Sequence, residues 1–162
     1  MDLGDDILWC GHMDRVVSPG EGTYVMDQKT TGGAISSYFF KGFLLDPQMS
    51  GYTLAGKTLY HLPLKGVIID AIEIKVGFTR FGRGFVNRSE SQLEEFVHVA
   101  KSYIADAQRM TAAADFRPNF ASCGNYGGCA FREVCTKSPE HRENFLRADF
   151  TRQPRWDPLE RR

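Results

Sequence analysis

Two aspartates and a lysine, Asp14, Asp27 and Lys29, are spaced so that a hairpin would gather them on one face. Carboxylates held side by side repel, and a fold tolerates the pair when a cation stands between them. A hard divalent ion suits: Mg²⁺ takes oxygen ligands, often only one or two of them carboxylates, and keeps its other positions for water and phosphate oxygens. Lys29 would then orient or deprotonate an attacking water, or offset charge building on a phosphate. Together these groups suit hydrolysis of a phosphodiester. An Asp-x-Lys triplet by itself is more often a solvated strand face, and it is Asp14, at hairpin distance upstream, that sets this one apart.

The element that must position them is the stretch from Gly11 to Lys29. Two β-favouring runs, ILWCGHMDRVV and TYVMDQKTT, flank the turn formers from Ser18 to Gly22. With Pro19 to Gly22 as a four-residue loop, Ser18 faces Thr23 and the register sets Asp14 opposite Asp27, Cβ atoms roughly 5 Å apart. Side chains alternate with a period of two, so Lys29 shares that face and His12 faces Lys29. A second acid-x-Lys triplet, Glu73-Ile74-Lys75, has no such partner, because Asp70 lies three positions earlier in the same strand and points to the other face. Glu73 and Lys75 therefore read as the solvated side of a strand whose Ile68, Ile72, Ile74 and Val76 are core.

The chain can supply a scaffold for this. Its 162 residues, 42% hydrophobic, suffice for one globular domain over 1–150 with a surface tail over 151–162, burying about two thirds of the unfolded surface. Twenty basic and twenty acidic residues cancel, so attraction to nucleic acid must come from a local patch, for which Arg80, Arg83 and Arg88 in the glycine-rich stretch Phe78 to Asn87 are candidates; that stretch reads as a hairpin-like loop that grips phosphates or simply as a solvated connection. No signal peptide or membrane-length apolar run is present, which points to a cytoplasmic chain with no membrane partner. The first six residues, MDLGDD, read as poorly ordered.

Further along, AISSYFFKGF reads as a short helix packing Ile35, Phe39 and Phe40. Asp46-Pro47 starts the next helix, with an acid at the N-cap and proline at the first position. From Gln48 to about Leu59 this helix aligns Gln48, Tyr52, Ala55 and Leu59. Positions four apart project together, so Gln48 could hold a phosphate or a water and Tyr52 could stack on a base or donate to a phosphate; the plainer alternative is a polar first-turn residue and an amphipathic core tyrosine. The segment GVIIDAIEIKVGF reads as a strand inside a sheet. Ser89-Glu-Ser-Gln92 is a capping box opening a helix to about Ala114, with Leu93, Phe96, Val97, Ala100, Tyr103, Ile104, Ala107 and Met110 on its apolar stripe and His98 off it.

Cys123, Cys129 and Cys135 recur at equal intervals in a glycine-rich segment, as metal or iron–sulfur ligands do in a reducing compartment. The fourth ligand is open between Cys10, which would suit an iron–sulfur cluster, and His141, which would suit zinc. From Phe145 onward the chain reads as a surface tail.

In order, Gly11-x-x-Asp14, Asp27-x-Lys29, Gln48-x-x-x-Tyr52 and the C-terminal cysteines resemble the RecB-like branch of the PD-(D/E)XK nuclease superfamily, which includes helicase-linked, CRISPR adaptation and phage exonucleases. The match spans about Gly11 to Cys135, and its specificity lies in the ordered combination. The resemblance implies an α/β fold, a central mixed β-sheet flanked by helices with a restriction-endonuclease-like core. It gives the role of metal ligand to Asp14, Asp27 and the backbone carbonyl of Gln28, that of catalytic lysine to Lys29, and that of shaping the DNA site to Gln48 and Tyr52. It implies Mg²⁺- or Mn²⁺-dependent DNA cleavage, a four-cysteine [4Fe-4S] cluster, and DNA and a helicase or recombination protein as partners. Relatives carry a further site residue and the first cluster cysteine on a preceding helix. Here ten residues precede Gly11, and the only upstream cysteine, Cys10, shares a strand face with Asp14 at about 13 Å. The chain thus reads as truncated at its start or as a minimal version with an altered cluster. A non-catalytic nucleic-acid-binding or scaffold module, with Zn²⁺ in the cysteine segment, is the alternative.

Overall fold

In a computed structural model, residues 1–4, 7–154 and 157 are described. The elements in order are β1 (Arg15–Val17), β2 (Thr23–Thr31), α1 (Ser37–Lys41), α2 (Pro47–Thr58), β3 (Leu64–Lys75), β4 (Phe78–Val86), α3 (Glu90–Ala113), α4 (Arg132–Cys135) and α5 (Pro139–Asp149), with two single 3₁₀ turns between α3 and α4. The chain divides into two compact units, residues 1–106 and 107–162.

The first unit is built on one mixed sheet, ordered β1-β2-β3-β4. β1 and β2 are antiparallel with Arg15 opposite Met26, Val16 opposite Val25 and Val17 opposite Tyr24, and beyond them the Ser18 and Thr23 hydroxyls meet at 3.2 Å. This is the register that the four-residue loop dictates. The ladder is shorter than the sequence suggests, however. Residues 7–14 do not extend β1, because the N-terminal segment bonds to itself: the Met1 ammonium donates to Trp9 O at 2.9 Å and Trp9 N to Met1 O at 2.8 Å. Cys10 and His12 therefore lie outside the strand, both exposed, and neither takes the position on the Asp14 face that an extended strand would give it. Of the first six residues, Leu3 N donates to Ile7 O at 2.9 Å, while Asp5 and Asp6 lie outside the described residues.

β2 runs parallel to β3, which requires a crossover, and α1 and α2 provide it. Ser36 caps α1 by accepting from Phe39 N, and Asp46 caps α2 by accepting from Gln48 N at 2.8 Å, with Pro47 in the first turn. The core lies on the sheet face that these helices cover: Val25 of β2, Leu64, Val67 and Ile69 of β3, Val86 of β4 and Met49 of α2, with Phe39, Phe40, Phe43 and Tyr52 packed against them. α2 buries Met49, Thr53 and Gly56; Leu59, expected on one stripe with Gln48, Tyr52 and Ala55, is its C-cap and is exposed.

Phe78–Val86 is a strand, not a loop. Its glycines suggest a turn to anyone reading the sequence, yet they answer to packing. A side chain at Gly82 would stand 2.7 Å from Ile35, and one at Gly84 would enter the ring of Phe40. The turn is two residues, Val76 and Gly77, between the paired Lys75 and Phe78.

β3 is the inner strand, as its apolar run implies, but its faces are inverted at the far end. Glu73 is 2% exposed and accepts Ile35 N at 3.1 Å, while Ile74 is 55% exposed and Val76 fully so. Glu73 shares its face with Val67, Ile69 and Ala71, the covered side, and takes the amide at the start of the crossover; Lys75 reaches Gly32 O nearby. A buried carboxylate is tolerated because it holds a backbone donor that would otherwise go unpaired.

At the other end of β3 the pairing slips one residue between Thr23 and Tyr24, skipping Lys65 and leaving Gly66 at φ 154°. A methyl group there would stand 2.5 Å from Val86 O. Gly66→Ala is expected to destabilise the protein by about 2 kcal/mol or more, combining backbone strain with overpacking. Urea unfolding reads this directly, and an unchanged midpoint would show that β3 and β4 are not pinned at this bulge.

α3 opens with the capping box: Gln92 N donates to Ser89 Oγ at 3.2 Å and Ser89 N to Gln92 Oε1 at 2.9 Å. Leu93 and Ala100 are buried on it and His98 is exposed, as expected, whereas Tyr103 is exposed rather than on an inner stripe. In the second unit, α4 and α5 pack together and Phe131 stacks on Phe150 at 4.7 Å. Residues 139–149 are helical, so the surface tail begins no earlier than Phe150; of it, residues 155, 156 and 158–162 lie outside the described residues. No helix among the described residues is long and apolar enough to cross a membrane.

Candidate active site

Asp27 stands at the middle of β2 on the covered face, 2% exposed. Two residues on, Lys29 shares that face, its ammonium 2.8 Å from Asp27 Oδ2. The first turn of α2 lies above them and closes a ring. Lys29 Nζ donates to Gln48 Oε1 at 2.7 Å, Gln48 Nε2 to the Tyr52 hydroxyl at 3.1 Å, and that hydroxyl to Asp27 Oδ1 at 3.0 Å. Donor chemistry fixes every direction in it. A carboxylate only accepts, so Tyr52 donates to it; the phenol oxygen then accepts from the Gln48 amide nitrogen, and the amide oxygen is left for the ammonium. Gln48 and Tyr52 reach one site because helix positions four apart stack on one side.

Burial pushes the Tyr52 phenol well above its ordinary range, helped by its hydrogen bond to Asp27 and by the carboxylates of Asp27, Asp14 and Asp46. Tyr52 is thus a fixed donor at any neutral pH. It orients Asp27 and does not serve as a base.

Asp14 joins from the bend before β1. β1 begins only at Arg15, so the Gln28 amide beyond the paired residues meets the Asp14 side chain, donating to Oδ2 at 3.1 Å. This brings the Asp14 carboxylate to the residue next to Asp27. His12 has no place in the ring.

One atom of the site is left over. Asp27 Oδ2 is buried and accepts no hydrogen bond; Lys29 lies at ion-pair distance but off the direction a hydrogen bond requires. A buried anionic oxygen without a hydrogen-bond donor is costly, and a hard cation is the ligand that it suits. The oxygens of Asp14, Asp27 and the Gln28 carbonyl are of the chemistry that Mg²⁺ or Mn²⁺ would take as ligands, water and phosphate oxygens supplying the rest. Among the described residues no three His, Cys, Asp or Glu side chains gather into a metal-holding group, so such a site would depend on those further ligands.

The same holds for the cysteines. Cys123, Cys129 and Cys135 are free thiols in the second unit, tied locally by Cys129 N donating to Cys123 O at 3.0 Å, and Cys10 is a free thiol in the first. Among the described residues, Cys123, Cys129 and Cys135 are not gathered with His141 into a metal-holding group.

The three arginines have separate surroundings. Arg80 and Arg83 alternate along β4 and so point to opposite faces; Arg80 lies over the Phe78 ring at 4.7 Å and Arg83 pairs with Asp70 at 2.8 Å. Arg88 is turned into α2, with Nε donating to Ser50 Oγ at 2.8 Å. That contact had no counterpart in the sequence, where an arginine in a glycine-rich stretch looks like any surface cation.

Compared with known proteins, residues 6–136 match the family model of the PD-(D/E)XK nuclease superfamily. No curated protein and no solved structure gives a significant match. Members of that family are generally nucleases and typically use Mg²⁺ or Mn²⁺, and the four-stranded mixed sheet with its helices is consistent with their restriction-endonuclease-like core. As the match takes in most of the chain, from before β1 to the third cysteine of the segment, this protein belongs to the PD-(D/E)XK nuclease superfamily.

Proposed function

We propose that the protein is a Mg²⁺- or Mn²⁺-dependent deoxyribonuclease, working as an exonuclease in DNA recombination, repair or phage DNA processing, with DNA as substrate and a helicase or recombination protein as its associate. The observation that carries the reading is the closed ring Asp27–Lys29–Gln48–Tyr52 with Asp14 alongside. A ring joining two elements by three directed hydrogen bonds and one ion pair holds an acid, a lysine and a polar helix face in fixed relation, as a preorganised site requires.

Asp14, Asp27 and the Gln28 carbonyl would hold the cation, which when bound supplies a Lewis acid beside the scissile phosphate. Tyr52 keeps Asp27 Oδ1 occupied, so Oδ2 would be the oxygen left for the cation. Gln48 holds the Lys29 ammonium on the same side. Lys29, about a quarter exposed, can swing between Asp27 and a substrate, orienting a water or giving a proton to the leaving oxygen.

Linear single- and double-stranded DNA, end-labelled, tests this in Mg²⁺ or Mn²⁺. Cleavage is expected with either cation, is expected to release short products from ends while sparing closed circles, and should stop with EDTA and return with excess Mg²⁺. Cleavage that survives EDTA, or none on any DNA with either cation, removes the assignment; cleaved circles would leave a nuclease but not an exonuclease.

A further inference from the structure

Arg88 makes three hydrogen bonds, and two of them hold the start of α2. Nε donates to Ser50 Oγ at 2.8 Å, one terminal nitrogen donates to Asp46 O at 3.3 Å and the other to Asn87 O at 3.0 Å. Ser50 is buried, and Asp46 is the N-cap of α2. The two residues held bracket Gln48, and Tyr52 follows one turn later. At the opposite end of α2, Lys57 pairs with Glu90. The connector from Asn87 to Glu90 thus grips the helix at both ends. We infer that Arg88 is a positioning residue for the proposed nuclease site: it sets the height and tilt at which α2 presents Gln48 and Tyr52 to Lys29 and Asp27.

The inference rests on the nuclease reading for its catalytic consequence, though not for its structural one. Hydrogen bonds of 2.7–3.1 Å in the ring leave little slack. A helix end shifted by about 1 Å would break them, and a displacement of that size is worth about 10²-fold in rate. Only a planar fork can reach a hydroxyl and a carbonyl from one side chain in fixed directions; a lysine offers a single ammonium and can serve one of them well.

The experiment compares wild type with Arg88→Ala, Arg88→Lys and Ser50→Ala, the last being mild enough to keep the fold. With Mg²⁺ and linear DNA, Arg88→Ala is expected to lower kcat by about 10²-fold while KM stays within about threefold, Arg88→Lys to recover only part of that, and Ser50→Ala to show a smaller loss of the same kind. Hydrogen exchange of the Gln48 to Tyr52 amides should quicken in Arg88→Ala while β2 and β3 keep their protection. If Arg88 instead grips a phosphate, KM rises, kcat is kept and the salt dependence of binding falls by about one unit, and the inference fails. Unchanged exchange in α2 also overturns it. A wild type that cleaves nothing defeats the nuclease reading, and the exchange measurement then still decides what Arg88 does to α2.

Discussion

Lys29→Ala is expected to reduce Mg²⁺-dependent DNA cleavage at saturating substrate by about 10²–10⁴-fold, the usual worth of a positioned proton-transfer group. The ammonium is held between Asp27 Oδ2 at 2.8 Å and Gln48 Oε1 at 2.7 Å, and it is the one group of the ring able both to carry positive charge toward a phosphate and to give up a proton. Its removal leaves Tyr52 on Asp27, so the loss should fall on kcat with DNA affinity little changed. Lys29→Met, which keeps most of the volume, should behave alike; if it did not, packing and not charge would explain the alanine variant. Equal rates for wild type and both variants would take this lysine, and with it the proposed mechanism, out of consideration.

The hairpin register was legible because three rules act on it together. A four-residue loop, strict alternation and one covered face leave a single pairing, and Arg15 opposite Met26 is that pairing. The start of α2 was equally plain, since Asp46-Pro47 states both the cap and the first helical residue, and the Ser89 to Gln92 capping box forms with both of its hydrogen bonds. What composition could not convey is where a backbone group waits for a partner. Composition alone makes Glu73 solvated and Ile74 core, because charge belongs outside by default; the crossover after β2 brings Ile35 N to Glu73, and the polarity of that strand end reverses. Gly82 and Gly84 misled in the same way, for the space they leave is filled by Ile35 and Phe40 from elsewhere in the chain.

For the site, the residue types at fixed spacing could be read and the connections between them could not. Asp27 with Lys29, and Gln48 with Tyr52, each share a face by periodicity alone. That α2 would lie over β2 closely enough to join the two pairs depends on the crossover and on Met49 and Thr53 packing beneath the helix. β1 does not reach back to His12 and Cys10, since an N-terminal segment that can bond to itself has no need of a strand partner. Asp14 gains from that early ending, as its side chain takes the Gln28 amide that another strand residue would have met.

Asp27→Asn is expected to lower metal-dependent cleavage by about 10³-fold or more, because a carboxylate worth several kcal/mol of cation and transition-state stabilisation is lost and each 1.36 kcal/mol is tenfold. The same substitution should leave the metal-free protein as stable as wild type to within about 1 kcal/mol, or more stable. Asparagine is isosteric and its Oδ1 still accepts the Tyr52 hydroxyl, while the buried Oδ2 that no hydrogen bond reaches is replaced by a neutral group. Against this stands the lost ion pair with Lys29, a side chain 27% exposed that can turn to water. Thermal unfolding with and without Mg²⁺ separates the terms. Wild type should gain stability as the cation is raised, by about 2.7 kcal/mol at a hundred times its Kd, and the variant should gain none. An Asp27→Asn protein that melts far below wild type in EDTA would make the carboxylate a structural group. One that Mg²⁺ stabilises as much as wild type would place the cation elsewhere.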